Sequence, residues 1–167
     1  MKKTISNHMS HRLITIGWNE KLSTAYQRMQ DQNIRHLPVT NEKAEIIGML
    51  SDRDVQRAMM SDESQIAVMS WESSKPKFSP DARVKHFMSW PVKSIDQYSD
   101  IRRVAELMIH EKVSSFLVKN QEQVTGIITA EDLIRLLIEV LSDPQTPKKW
   151  TLKSSLSELD FGALEAP

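Results

Sequence analysis

The sequence predicts a mixed α/β (α+β) fold in which two copies of a strand, helix, strand, strand, helix unit pack pseudo-symmetrically through their sheets. Three observations predict it: the chain repeats itself at a nearly constant offset, each copy carries an apolar stripe at helical spacing, and each carries two short apolar runs of strand length. At 167 residues there is room for one domain, or for two small ones that share a core.

The repeat is visible residue by residue. Met9-Ser10 returns 79 positions later as Met88-Ser89, Leu13-Ile14-Thr15-Ile16 returns as Val92-Lys93-Ser94-Ile95, and Asn33 to Val39 returns as Lys112 to Val118. The offset then falls to 78, because the polar loop Thr40 to Glu45 is one residue longer than Lys119 to Gln123. A length change confined to a loop is what a duplicated fold tolerates.

In the first copy, residues 9–60, Leu13 to Ile16 predicts a strand. Leu22, Ala25, Tyr26 and Met29 then fall at i, i+3, i+4 and i+7, a helix with one apolar face, with Asn19 as its N-cap and Glu20 beside its positive end. Leu37 to Val39 and Ile46 to Leu50 show little alternation, which predicts strands covered on both faces. A second helix follows Ser51. The second copy, residues 88–141, repeats the series: the stripe Ile101, Val104, Ala105 and Met108 with Ser99 as N-cap and Asp100 after it, the runs Phe116 to Val118 and Val124 to Ile128, and a last helix reaching Leu141. Residues 61–87 read as a linker, since Ser61 to Asp81 is polar and lacks leucine, with Ser79-Pro80-Asp81 predicting a short helix through Met88. Residues 142–167 form a polar tail, in which Trp150, Leu152, Leu156, Leu159 and Phe161 are expected to dock as an arm or to fray. Each copy is too small to be more than marginally stable alone, so the two are expected to share a core.

Composition removes several function classes. Twenty-two Lys plus Arg balance twenty-two Asp plus Glu, and the zero net charge argues against a nucleic-acid coat or a membrane-surface protein. The absence of cysteine excludes disulfides, thiolate catalysis and zinc-thiolate or iron-sulfur sites. No stretch approaches the roughly 18 to 20 apolar residues of a membrane span, and Met1 to Ser10 carries no apolar run, so a cytoplasmic location is expected. No nucleophile elbow, Cys-His pair, P-loop or HExxH motif occurs, and the chain is not read as an enzyme. His8 and His11 lack a third metal ligand, His86 and His110 read as helix-surface residues, and the nine methionines read as core filler rather than a metal site.

The repeated polar chemistry lies in one motif. Gly48-Met49-Leu50-Ser51-Asp52-Arg53-Asp54 and Gly126-Ile127-Ile128-Thr129-Ala130-Glu131-Asp132 each end a strand and open a helix. Glycine there lets a ligand approach the backbone, and the Ser51 or Thr129 hydroxyl meets unpaired helix donors. The aspartate three residues on faces the same side, where a carboxylate can take both hydroxyls of a ribose. The alternative is that both motifs are plain capping boxes with Asp in place of Glu.

The doubled motif in this frame resembles a tandem pair of cystathionine-β-synthase (CBS) domains, often called a Bateman module. The resemblance covers about Met9 to Met60 and Met88 to Leu141. It implies a stand-alone regulatory module that binds AMP, ADP, ATP or a related adenosyl ligand in clefts between the copies and signals to an effector protein. It further implies a cleft in which Asp132 and Thr129 hold the ribose while Arg35, His36 and Arg53 meet phosphates. The adenine would lie against Met88 to Lys93, including Ser89 and Lys93, and near Val113 and Ser114. The opposite cleft, with Asp54 and Ser51, would receive Ser114, Ser115 and Glu131, and is expected to be weaker because Glu131 repels phosphate. Arg35 and Arg53 could instead be solvated ion-pair partners. A constitutive dimerisation scaffold with vestigial clefts is the alternative function. A homodimer through the final helix of each copy is expected, since Leu133 to Leu141 is apolar nearly all round; the competing cover for that surface is the chain's own tail.

Overall fold

The computed structural model describes residues 4–60, 78–79 and 81–142, and within them both copies build the same unit. In the first, β1 (Ile16–Gly17) leads through α1 (Leu22–Gln32) to the hairpin β2 (His36–Thr40) and β3 (Ile46–Ser51), and α2 (Asp52–Met60) follows directly. In the second, β4 (Ser94–Asp96), α3 (Ile101–Glu111), β5 (Ser115–Asn120), β6 (Gln123–Thr129) and α4 (Ala130–Ser142) repeat the order. Each copy has a three-stranded sheet, β1-β2-β3 or β4-β5-β6, with its first strand parallel and its hairpin antiparallel. The registers correspond as well: Leu37 opposes Leu50 as Phe116 opposes Ile128, and both hairpins slip at the same place, Val39/Thr40 and Val118/Lys119.

The expected stripes are the buried ones. Leu22, Ala25 and Met29 of α1 pack with Leu37, Val39 and Leu50, while Val104 and Met108 of α3 pack with Phe116, Val118 and Ile128. A third cluster joins the copies: Met49, Leu117 and Ile127, with Leu13, Ile46, Val92 and Val124 around them. Leu13 and Val92 are repeat equivalents, as are Ile46 and Val124, so this shared core is itself pseudo-symmetric. Helices α1 and α3 each end on a left-handed residue that is not glycine, Asn33 (φ 50°) and Lys112 (φ 54°).

The segment that precedes each copy packs on the other one. Ser89 pairs antiparallel with Met49 at the free edge of β3, and Ser10 pairs likewise with Ile127 on β6. Ile5 is buried in the second copy's core and Val84 in the first's. Unpaired sheet edges are thereby covered, and the copies are exchanged at their entrances.

Several local expectations change. The helix expected from Ser79 to Met88 is a single 3-10 turn, Val84–His86, because the chain there is pinned in extended pairing with Lys21 and Glu20 on one side and Met49 on the other. Exposed His86 is therefore on that turn, not on an α-helix. Neither Asn19 nor Ser99 caps a helix: α1 starts after Lys21 with no side-chain cap, and Asp100 caps α3 by accepting from the Arg102 and Arg103 amides. Glu20 accepts instead from the Gly17 amide. Of the strand expected at Leu13 to Ile16 only Ile16 pairs, since Leu13 turns into the joint core. Its equivalent in the second copy begins at Ser94 rather than Val92. The tail beyond Ser142 lies outside the described residues.

Candidate functional site: the cleft between the copies

The strand-to-helix turns are built identically. The Ser51 amide and hydroxyl both donate to Asp54 Oδ2, at 2.9 and 2.6 Å, and the Asp54 amide donates back to Ser51 Oγ at 3.3 Å. Thr129 and Asp132 repeat the pattern at 2.8, 2.7 and 3.3 Å. The capping geometry is therefore real in both copies. It occupies one carboxylate oxygen of each aspartate and spares Oδ1. Among the described residues that oxygen of Asp132 has no hydrogen-bond partner, and in Asp54 it faces Arg57 Nη1 at 3.6 Å.

Their surroundings differ. A cavity of about 260 Å3 opens between the copies around the Ser51-Asp54 turn, near the lower end of the roughly 300 to 1,000 Å3 usual for small-molecule sites. The first copy contributes His36, Met49, Ser51, Arg53, Asp54 and Arg57 to its wall, and the second contributes Ser89, Pro91 to Lys93 and Lys112 to Ser115. Asp54 is the one buried charged residue among those described, at 8% exposure. Lys93 Nζ is held by Glu111 Oε2 at 2.6 Å. Across the cavity the His36 Nε2 stands 2.8 Å from Ser114 Oγ, a hydrogen bond that joins the copies. Burial holds the His36 pKa below its ordinary value, with Arg35 and Arg53 acting in the same direction and Asp52 and Asp54 against it.

The cavity brings together His36, Arg53, Ser89, Lys93, Val113 and Ser114, which were expected to share a site, along with Ser51, Asp54 and Ser115 of the cleft expected to be weaker. It does not include Thr129, Asp132 or Arg35. The reason is the register of the first hairpin: His36 is the direct partner of Ser51, and Arg53 is Asp54's neighbour, so the basic groups stay beside their own copy's aspartate. Arg35 lines a smaller hollow of about 170 Å3 between α1 and α2. Glu131 lies in the first turn of α4, beside Asp132. Its carboxyl is held below the ordinary range by its hydrogen bond and ion pair with Arg135, and more weakly by Arg35 and His36. Sequence reasoning missed Arg57 and Lys112. Arg57 had a legible signal, one helical turn beyond Asp54. Lys112 had only its equivalence to Asn33, and reaches the cavity by ending α3 in a left-handed turn.

The glycines serve a different purpose from the expected one. A Cβ on Gly48 would stand 2.9 Å from both Met88 Sδ and the Ser89 carbonyl oxygen, and one on Gly126 would stand 2.5 Å from the Ser10 carbonyl oxygen. What approaches the backbone at these points is the other copy's entrance segment.

A pseudo-symmetric pair of such units, each with a Ser/Thr-x-x-Asp turn between strand and helix, defines a CBS domain pair. The CBS domain family model matches residues 4–61 and 84–139, and the chain belongs to that family. A CBS domain-containing protein of Dictyostelium discoideum is 28% identical over 149 residues, covering 89% of this chain and 99% of that one. An uncharacterized protein of Methanocaldococcus jannaschii is 22% identical over 142 residues, 84% of this chain but only 33% of its own length. Among solved structures, the CBS domain pair of protein MJ0100, in complex with 5′-methylthioadenosine and S-adenosyl-L-methionine, superposes with a TM-score of 0.67 at 21% identity, covering 83% of this chain and 98% of that one. No helix of the described residues is long and apolar enough to cross a membrane.

Proposed function

We propose that this CBS pair is a regulatory module that binds an adenosine nucleotide, AMP, ADP or ATP, or a related adenosyl compound, in the cavity at Asp54, and passes its occupancy to an effector protein. One observation carries the reading: a buried carboxylate and five basic side chains, His36, Arg53, Arg57, Lys93 and Lys112, converge on one cavity between the copies. A carboxylate beside a hydroxyl suits a ribose diol, and guanidinium and ammonium groups suit phosphate. The apolar wall of Met49, Val92 and Val113 suits a base. The adenosyl ligands bound by the MJ0100 pair support the class of compound. The Asp132 turn, flanked by Glu131 and lacking this set of bases, is assigned the weaker role, the reverse of the order expected from sequence.

Calorimetry with AMP, ADP, ATP and 5′-methylthioadenosine tests this. Asp54→Ala should weaken all four by tenfold or more, since a hydrogen bond to a charged group contributes about 1.5 to 3 kcal/mol. Asp132→Ala should have less effect. Arg53→Ala should spare 5′-methylthioadenosine and weaken ADP and ATP. No heat with any of them, or binding untouched by Asp54→Ala, would defeat the proposal.

A homodimer through α4 is proposed alongside it. Ile134, Leu137, Ile138 and Leu141 recur at i, i+3, i+4 and i+7 and are all exposed, forming a second apolar stripe on a helix whose other side already covers its own sheet.

A further inference from the structure

We propose that His36 makes the binding of a phosphorylated ligand in this cavity a proton-coupled event. This rests on the reading of the cavity as a nucleotide site and adds a regulation to it.

The geometry carries the argument. His36 lies on β2 in the cavity wall, half-buried, and its Nε2 meets Ser114 Oγ of the other copy at 2.8 Å. Its charged neighbours are Arg35 just before β2, Asp52, Arg53 and Asp54 from α2, and Glu131 from α4. Arg57, Lys93 and Lys112 add positive charge elsewhere on the same wall. Burial, Arg35 and Arg53 favour the neutral ring, so His36 is uncharged near neutral pH when the cavity holds only solvent.

A neutral imidazole accepts a hydrogen bond from the Ser114 hydroxyl or donates one to it, according to its tautomer. An imidazolium only donates, because both its nitrogens carry hydrogens. Once charged, Nε2–H donates to Ser114 Oγ, so the hydrogen bond between the copies is kept. A phosphate dianion beside Arg53 neutralises the charge that opposed protonation and adds an attraction of its own. Its arrival therefore raises the proton affinity of His36. The His36 pKa is then higher with ligand than without, so a proton is taken up at pH values between the two, and affinity grows as pH falls through that window. The gain is up to about tenfold for each unit by which the pKa moves. A ligand without phosphate, such as 5′-methylthioadenosine, gains nothing this way.

The test is calorimetry of ADP and 5′-methylthioadenosine at pH 8, 7 and 6, in two buffers of different ionisation heat, on the wild type and on His36→Gln. Ionisation of the ADP phosphate itself is common to both proteins, so their difference isolates His36. The wild type should take up an additional fraction of a proton with ADP and tighten several-fold more than His36→Gln between pH 8 and pH 6, with no such difference for 5′-methylthioadenosine. NMR titration of the imidazoles of the unaltered protein should find one whose pKa is higher with ADP than without, and that resonance should be missing in His36→Gln. Equal proton uptake by the two proteins, or a His36 pKa unmoved by ADP, would overturn this inference and leave the nucleotide site standing. Failure of both ligands to bind at every pH would overturn both.

Discussion

Ser89 crosses Gly48 so closely that its carbonyl oxygen stands 2.9 Å from where a Cβ on that glycine would be, while Ser89 exchanges two backbone hydrogen bonds with the next residue, Met49. The equivalent crossing of Ser10 over Gly126 is tighter, at 2.5 Å. A methyl group at either point would push against backbone, which cannot swing aside as a side chain can. Gly48→Ala and Gly126→Ala should each destabilise the protein by about 1 to 3 kcal/mol, the usual cost of overpacking, with Gly126→Ala the worse of the two. Urea unfolding checks this. A loss below the error of the method at both positions would mean that the entrance segments do not hold the copies together.

Ala44 offers the opposite change. It sits in the exposed β2-β3 loop at φ 59°, a conformation that a Cβ disfavours. Ala44→Gly relieves that strain and should raise stability by roughly 1 kcal/mol, less the entropy that glycine adds to the unfolded chain. A lower midpoint in thermal melts would contradict it.

These two positions show what the sequence made legible and what it did not. The stripes Leu22, Ala25, Met29 and Val104, Met108 announced their helices because a buried face must recur at helical spacing, and Ser51-x-x-Asp54 announced a turn whose hydrogen bonds are now seen. The crossings at Gly48 and Gly126 were hidden, because glycine admits a ligand or a strand equally well and local pattern does not say which. Cap assignment failed by one residue at Ser99 because Asp100 beside it caps as well, and the helix start is set by where Ile101 must be buried. The company of Asp54 was not legible for the same kind of reason. Which aspartate Arg53 and His36 serve depends on hairpin register, a property of pairing that no single segment carries.

The depressed pKa of His36 has a consequence for stability without any ligand. Burial, the first of its causes, lowers the folded-state value below that of the unfolded chain, so the unfolded state binds the proton more readily. The stabilising contribution is complete above the unfolded pKa of about 6.5 and is lost as pH falls through the lower folded value. Wild-type protein should therefore lose more stability than His36→Gln between pH 7 and pH 5, as read from urea midpoints. Parallel profiles for the two would show that His36 is as well solvated in the fold as out of it.

The last helix carries the remaining prediction. Ile134, Leu137 and Ile138 are 57%, 54% and 58% exposed, although Leu133 on the other side of α4 already packs against the second core. No residue of this helix is fully buried, so its contacts within the chain leave most of its apolar surface in water. At the position of α2 equivalent to Ile134 stands exposed Gln56. This stripe favours a two-fold contact of α4 with α4 of a second copy, since a self-complementary apolar patch is what an isologous interface requires. Removing several partly buried leucine and isoleucine side chains from water on each side contributes about 25 cal/mol for every Å2 covered, enough for association at micromolar concentration once the area reaches the usual interface range. Light scattering of the full chain at micromolar concentration should give twice the monomer mass, and Leu137→Asp should halve it while leaving the helical circular dichroism intact. A dimer that also survives deletion of residues 143–167 places the contact on the helix itself. A monomeric mass for the unaltered protein, or a dimer indifferent to Leu137→Asp, would remove α4 from consideration as the interface.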